Sequence, residues 1–170
     1  MKKRYLYPKN KEYFKELIPF AQGIIKLLQK NKIYPVIHGS FAHLYYTKDK
    51  EIKVNDIDIM VQRKDFHNII KLLEDNNIKF KYYPEYEILI IKKGKLKVEV
   101  DMPGGYKTLK DKSLLKVTKR INFYGVKVKM LTLEQLEDVY IVAYNRSADD
   151  KAKIKKKIKH FEKFLGRKLK

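Results

Sequence analysis

The run 55–61, Asn-Asp-Ile-Asp-Ile-Met-Val, restricts this chain more than any other segment. As a strand it sends alternate side chains to opposite faces, so Ile57, Ile59 and Val61 enter a core. Asp56 and Asp58 then project together, roughly 6.5–7 Å apart along the backbone. Two carboxylates on one half-buried face repel each other, and a divalent hard cation such as magnesium is the simplest relief. The same alternation also describes the solvated side of an ordinary amphipathic strand, so the pair needs company before it marks a site.

Company comes from two places. In Val98-Glu99-Val100-Asp101-Met102 the apolar residues occupy one face and the acids the other, so a third carboxylate can approach if the strands are neighbours. Asp101, at the strand end beside Pro103-Gly104-Gly105, is the expected member. Glu99 reads more simply as a surface acid among many lysines, and whether it joins stays open. Upstream, His38-Gly39-Ser40 falls where a short strand (33–37) gives way to a helix. Glycine allows close backbone approach, serine adds a hydroxyl, and a helix start offers unpaired N–H groups, which together suit a phosphate. No Walker loop and no Gly-x-Gly-x-x-Gly occurs.

The remaining pattern is helical over 11–31, interrupted by Pro19 and Gly23, which predicts two pieces or one kinked helix, with Asn10 as a cap. Asp65 is expected to cap a helix to residue 76. Strand-like runs at 78–83, 87–92 and 96–101 follow, then a hairpin of 120–123 with 126–131, and a helix capped by Thr132. A last helix is expected from about residue 148 to 165. The order predicts an α/β (α+β) fold: a mixed sheet flanked by helices, with a C-terminal helical part from about residue 132. We expect one domain over 1–170.

Composition narrows the partners. The 170 residues carry 40 Lys+Arg against 20 Asp+Glu, a net charge of +20, and only five of the basic residues are Arg. Lysine acts as a point charge, so the excess favours electrostatic attraction to polyanions over bidentate, sequence-reading contacts; genome composition bias explains the same excess equally well. Absence of Cys excludes disulfides, Cys-ligated zinc, iron–sulfur clusters and a cysteine nucleophile. The four His show no metal-ligand spacing, and no apolar run reaches the length of a signal peptide core or membrane span. A soluble cytoplasmic protein without membrane partners is expected.

Gly39-Ser40-x-Ala42, then Asp56-Ile57-Asp58-Ile59, then Asp101 on a later strand, resembles the nucleotidyltransferase superfamily typified by DNA polymerase beta. The likeness is closer to its small members: minimal, antibiotic and toxin-type nucleotidyltransferases. It spans residues 33–103 well and the helical tail more weakly. The resemblance implies a polymerase-beta-like fold and transfer of a nucleoside monophosphate from a nucleoside triphosphate such as ATP to a hydroxyl of RNA, protein or a small molecule, releasing pyrophosphate. It further implies that Gly39 and Ser40 hold the terminal phosphates and that Asp56 and Asp58 coordinate two magnesium ions. Asp101 would complete the second metal site and help deprotonate the acceptor.

Two departures from the family pattern stand out. Fifteen residues, 41–55, separate Ser40 from Asp56, the excess lying in the charged loop 48–53. The helix at 134–144 lacks a lysine that relatives carry; Arg146 is the candidate replacement contact, although a salt bridge to Asp149 or Asp150 competes for it. The stretch 151–170 holds nine Lys and one Arg against Glu162, with Ile154, Ile158, Phe161 and Leu165 at helical spacing. That is an amphipathic helix whose outer face is either a track for RNA or simply solvated. His38 and His43 are expected to pack or hydrogen-bond as structural groups. Rival functions are a catalytically degenerate domain that binds RNA or a protein partner, and a two-metal nuclease, which would not need Gly39-Ser40.

Overall fold

The protein is described from a computed structural model covering residues 6–103, 118–146 and 151–169. A helix α1 (Lys11–Lys30) precedes β1 (Val36–Ile37), α2 (Gly39–Thr47), β2 (Ile57–Met60) and α3 (Phe66–Asp75). Then come β3 (Phe80–Tyr83), β4 (Ile88–Lys93), β5 (Leu96–Asp101), β6 (Lys119–Phe123) and β7 (Val126–Met130), and the helices α4 (Leu133–Arg146) and α5 (Lys151–Leu165).

The seven strands form one mixed sheet in the order β3-β4-β5-β2-β1-β7-β6. β2 runs parallel to β5 and antiparallel to β1, and β1 runs parallel to β7. This places the two acid-bearing strands side by side, with Asp58 level with Glu99 and Met60 level with Asp101. The short β1 is central because its two residues are both fully buried, between two partners.

Pleating sorts the faces. Ile57, Ile59, Val98, Val100, Leu89 and Ile91 join the main core with Phe14, Leu17, Ile25 and Leu28 of α1 and Ile69 and Leu73 of α3. On the other face Val36 and Met60 meet Leu131, just past β7, and Val139 of α4 in a small separate cluster. The carboxylates share that second face, since Asp58 lies two residues from Met60 on one strand. α4 therefore covers one end of the acidic face and leaves the other end for a cleft.

Local details differ from sequence expectation for identifiable reasons. α1 is one continuous helix with Pro19 inside it. Asn10 stands at its N-cap position without capping it, because the amide side chain is used elsewhere: Nδ2 donates to the Val54 carbonyl (2.8 Å) and Oδ1 accepts from the Val54 N–H (2.9 Å). Tyr13 Oη adds a bond to the Asn55 carbonyl (2.7 Å), so the start of α1 holds the chain just before Asp56. Asp65 makes no side-chain cap either; a 3-10 turn (Arg63–Asp65) leads into α3 instead. Thr132 does cap α4, in a reciprocal pair in which the Gln135 N–H donates to Thr132 Oγ1 (3.3 Å) and the Thr132 N–H donates to Gln135 Oε1 (2.9 Å). The expected turn residues Gly104 and Gly105, and the start of the last helix at 148, lie outside the described residues.

α5 docks by the stripe read from sequence, led by Phe161, which is fully buried with its ring 5.6 Å from Tyr140 and 5.2 Å from His43. Truncating a buried Phe costs about 3–5 kcal/mol. We therefore expect Phe161→Ala to lower unfolding free energy by about that much in urea titration. Phe164→Ala, one turn-edge away and 45% exposed, should cost far less.

Candidate active site

β1 ends in an extended His38, and the chain turns into α2 through Gly39 at φ +62°. That conformation is rare for residues with a Cβ, and here it coincides with a close approach. A Cβ built on Gly39 would overlap the Asp58 carboxylate and sit 2.9 Å from Asp58 Cβ. The His38 N–H donates to the Asp58 carbonyl (3.0 Å), which extends the β1–β2 ladder up to the turn. The Gly39-Ser40 turn and the carboxylate strand thus touch, with no side chain between them.

Asp56, Asp58 and Glu99 converge so that one ligand oxygen from each lies within 4.8 Å of the others. All three are half-buried, and the donors are carboxylate oxygens, the set preferred by magnesium or manganese over soft metals. Burial pushes Asp58 up to about 6, with Asp56 and Asp101 adding to the rise while His38 and Lys157 oppose it. Glu99 is raised to about 7, first by burial and then by Asp58, Asp101 and Asp56. Neighbouring acids that resist ionisation together are the electrostatic condition a divalent ion relieves, so the residues fit such an ion.

Asp101, the expected third acid, stands opposite Met60, one pleat further along, with Oδ1 3.2 Å from His38 Nε2. Burial pulls the His38 pKa down, but the charge and hydrogen bond of Asp101, with Asp58 and Glu99 beyond, prevail and raise it to about 9. Glu99, left open by the sequence, is the acid the register sets beside Asp58. Lys97, two residues earlier on β5, reaches Asp56 Oδ2 at 3.6 Å.

Ser40, after the Gly39 turn, has a partner that the sequence did not single out. Lys157 Nζ of α5 donates to Ser40 Oγ at 3.0 Å, and its charge is felt by Asp58. One turn on, His160 Nδ1 meets His43 Nε2 at 2.8 Å, so two residues of α5 spaced i, i+3 face two of α2 spaced alike. His43 Nδ1 also meets Tyr140 Oη (2.7 Å), and His160 Nε2 meets Asp49 Oδ2 (2.7 Å). Burial, then His160 and Lys157, lower the His43 pKa to about 3, so it is neutral at ordinary pH. One arrangement then satisfies the chain: Tyr140 donates to His43, His43 to His160, and His160 to Asp49. His38 and His43 are both buried and partnered within the structure. Arg146 ends α4, but its side chain is outside the described residues.

These groups line a cleft of about 870 Å³ whose floor holds Ser40, Asp56, Asp58 and Glu99, and whose rim includes Lys153, Lys156 and Lys157 of α5. Several solved structures are similar in form. ANT(2″)-Ia, in complex with adenylyl-2″-tobramycin, matches over 88% of this chain and 89% of its own at 12% identity and a TM-score of 0.61. The lincomycin-bound lincosamide antibiotic adenylyltransferase LnuA matches over 85% and 95%, at 13% identity and a TM-score of 0.55.

The chain has the nucleotidyltransferase fold.

An antigenic nucleotidyltransferase-like protein from Paracoccidioides brasiliensis shares that fold, at 17% identity over 91% of this chain and 77% of its own, with a TM-score of 0.58. No family model and no curated protein matches the sequence. In the nucleotidyltransferase-fold core seen here, α2, the helix that follows Gly39, is the one to which α5 is fastened. No described helix is long and apolar enough to cross a membrane.

Two outcomes test the site's physics. Gly39→Ala adds a methyl where both φ and the Asp58 carboxylate forbid it, so circular dichroism should show a folded but destabilised protein; magnesium or triphosphate binding should fall at least tenfold in calorimetry. The second concerns pH. Asp58 and Glu99 hold protons in the folded state above their ordinary values of 3.8 and 4.5, so their burial favours folding least once pH has risen through about 6 and 7. A divalent ion binds the deprotonated acids. The magnesium-induced rise in Tm should therefore be small at pH 5, large at pH 8, and flattened in Asp58→Asn with Glu99→Gln.

Proposed function

We propose that the protein is a magnesium-dependent nucleotidyltransferase that passes a nucleoside monophosphate from a nucleoside triphosphate to a hydroxyl acceptor. The observation that carries this reading is the meeting of Asp56, Asp58 and Glu99 beneath the Gly39-Ser40 helix start. A nuclease would use the acids alone, whereas a phosphate loop pressed against them suits a substrate with a polyphosphate tail.

Magnesium, when bound by Asp56, Asp58 and Glu99, lowers the pKa of an acceptor hydroxyl and offsets charge on the phosphate oxygens. Ser40 Oγ and the N–H groups at the start of α2 receive the terminal phosphates, with Lys157 adding a full positive charge beside Ser40. Lys157 thereby supplies from α5 the cation that α4 lacks; Arg146 is a further candidate contact. Asp101, paired with His38, orients that imidazole under the loop and would be a further carboxylate ligand for a metal ion. The acceptor oxygen forms a bond to the α-phosphorus as the bond from that phosphorus to the bridging oxygen of the β-phosphate breaks. Pyrophosphate leaves with the electron pair, and the hydroxyl proton passes to a carboxylate of the cluster and on to solvent.

The antibiotics named for the similar structures belong to those proteins. Titration with each of the four triphosphates and magnesium should show binding that disappears in Asp56→Ala with Asp58→Ala. Labelled-triphosphate transfer should fall at least a thousandfold in that variant, and Glu99→Gln should lose more activity than Asp101→Asn. No triphosphate binding by the wild-type chain would leave the catalytically degenerate binding protein as the better reading.

A further inference from the structure

The sheet ends at β6, and no described strand pairs with its outer side. Tyr124 (φ +50°) and Gly125 (φ +111°) close the β6–β7 hairpin as a two-residue turn with both central residues left-handed, so Phe123 and Val126 form the first hydrogen-bonded pair. Such pairs alternate with non-bonded ones along an antiparallel ladder. Arg120 and Asn122 therefore direct their backbone N–H and C=O groups away from β7, toward the open edge.

Beside that edge lies a groove of about 710 Å³ that shares no lining residue with the carboxylate cleft. The register sets Arg120 level with Lys129 and Asn122 level with Lys127, on the face opposite Ile121, Phe123 and Val128 of the main core. Tyr34, 55% exposed, and Pro35 border the groove on the β1 side. No acid is among its lining residues. A row of alternating backbone donors and acceptors is matched by another extended polypeptide, whereas a sugar–phosphate chain has no such alternation. The cations call for carboxylates. This chain is a poor source of them: 104–117 carries four Lys and one Asp, 1–5 carries three bases and no acid, and a net charge of +20 opposes a second copy. We propose that β6 is the docking edge for an acidic, extended segment of a partner protein. The segment adds as an eighth strand, sets carboxylates against Arg120 and Lys127, and lays an apolar side chain on Tyr34.

The test follows, by anisotropy across a salt series, binding of a short fluorescent peptide of alternating Glu and Val to the full chain. Arg120→Ala with Lys127→Ala should weaken binding at low salt at least tenfold and make it less salt-dependent. Lys64→Ala with Lys71→Ala, exposed at and just before α3 and removing the same charge, should change neither. Triphosphate binding should be the same in the Arg120, Lys127 variant, since neither residue lines the carboxylate cleft. Two further peptides carry N-methyl groups at every Glu or at every Val. Only the N–H groups turned toward β6 pair with it, so one of the two should bind at least tenfold more weakly and the other like the parent. No binding by the wild-type chain, unchanged affinity in the Arg120, Lys127 variant, equal losses in the Lys64, Lys71 variant, or equal behaviour of the two N-methylated peptides would overturn the inference. So would tighter binding of an RNA oligonucleotide of the same net charge that those two β6–β7 substitutions abolish, or a dimer in sedimentation that they dissociate.

Discussion

The contact between Gly39 and Asp58 is the constraint on which the site depends. Because Gly39 has no side chain and turns at positive φ, β1 can pair with β2 up to its last residue, and α2 can start directly over the Asp58 carboxylate. The β2–β5 register then has its consequence: Glu99 comes level with Asp58 and faces the same cleft. A residue with a Cβ at position 39 would push the helix start away from the Asp58 carboxylate. Holding like charges together without water raises their affinity for protons, and a divalent ion would relieve the same repulsion.

A second assembly serves this one from outside. α5 is far from Gly39-Ser40 in sequence, yet Phe161 anchors it, and the bonds from Tyr140 through His43 and His160 to Asp49 fix its rotation about its own axis. Rotation matters because only one of many lysines on that helix then reaches Ser40. The charged loop that lengthens the interval between Ser40 and Asp56 gains a role in the process, since Asp49 within it is the end of the chain of bonds. A neutral, buried His43 is well suited to the middle position, where one nitrogen must accept and the other donate.

Much was legible along the chain. Alternation in 55–61 and 98–102 located the strands and the face of their acids, the spacing of Ile154, Ile158, Phe161 and Leu165 marked the helix that docks, and Thr132 with Gln135 marked a helix start. Other signals were misdirected by partners distant in sequence. Asn10 has the chemistry of a cap but bonds Val54 across the fold. Glu99 looked like a surface acid because local sequence does not encode the strand register that sets it beside Asp58, and nothing local shows that His38 lies against Asp101.

The sequence by itself determined which residues could carry the chemistry: a glycine and serine at a strand-to-helix junction, paired acids on alternating strands, an excess of lysine and no cysteine. These follow from side-chain type and from periods of two and 3.6, which act over a few residues. Tertiary structure alone decided the order β5-β2-β1, which acid stands beside Asp58, and which lysine meets Ser40. Those choices depend on register and on the rotation of docked helices, both set by packing between segments dozens of residues apart.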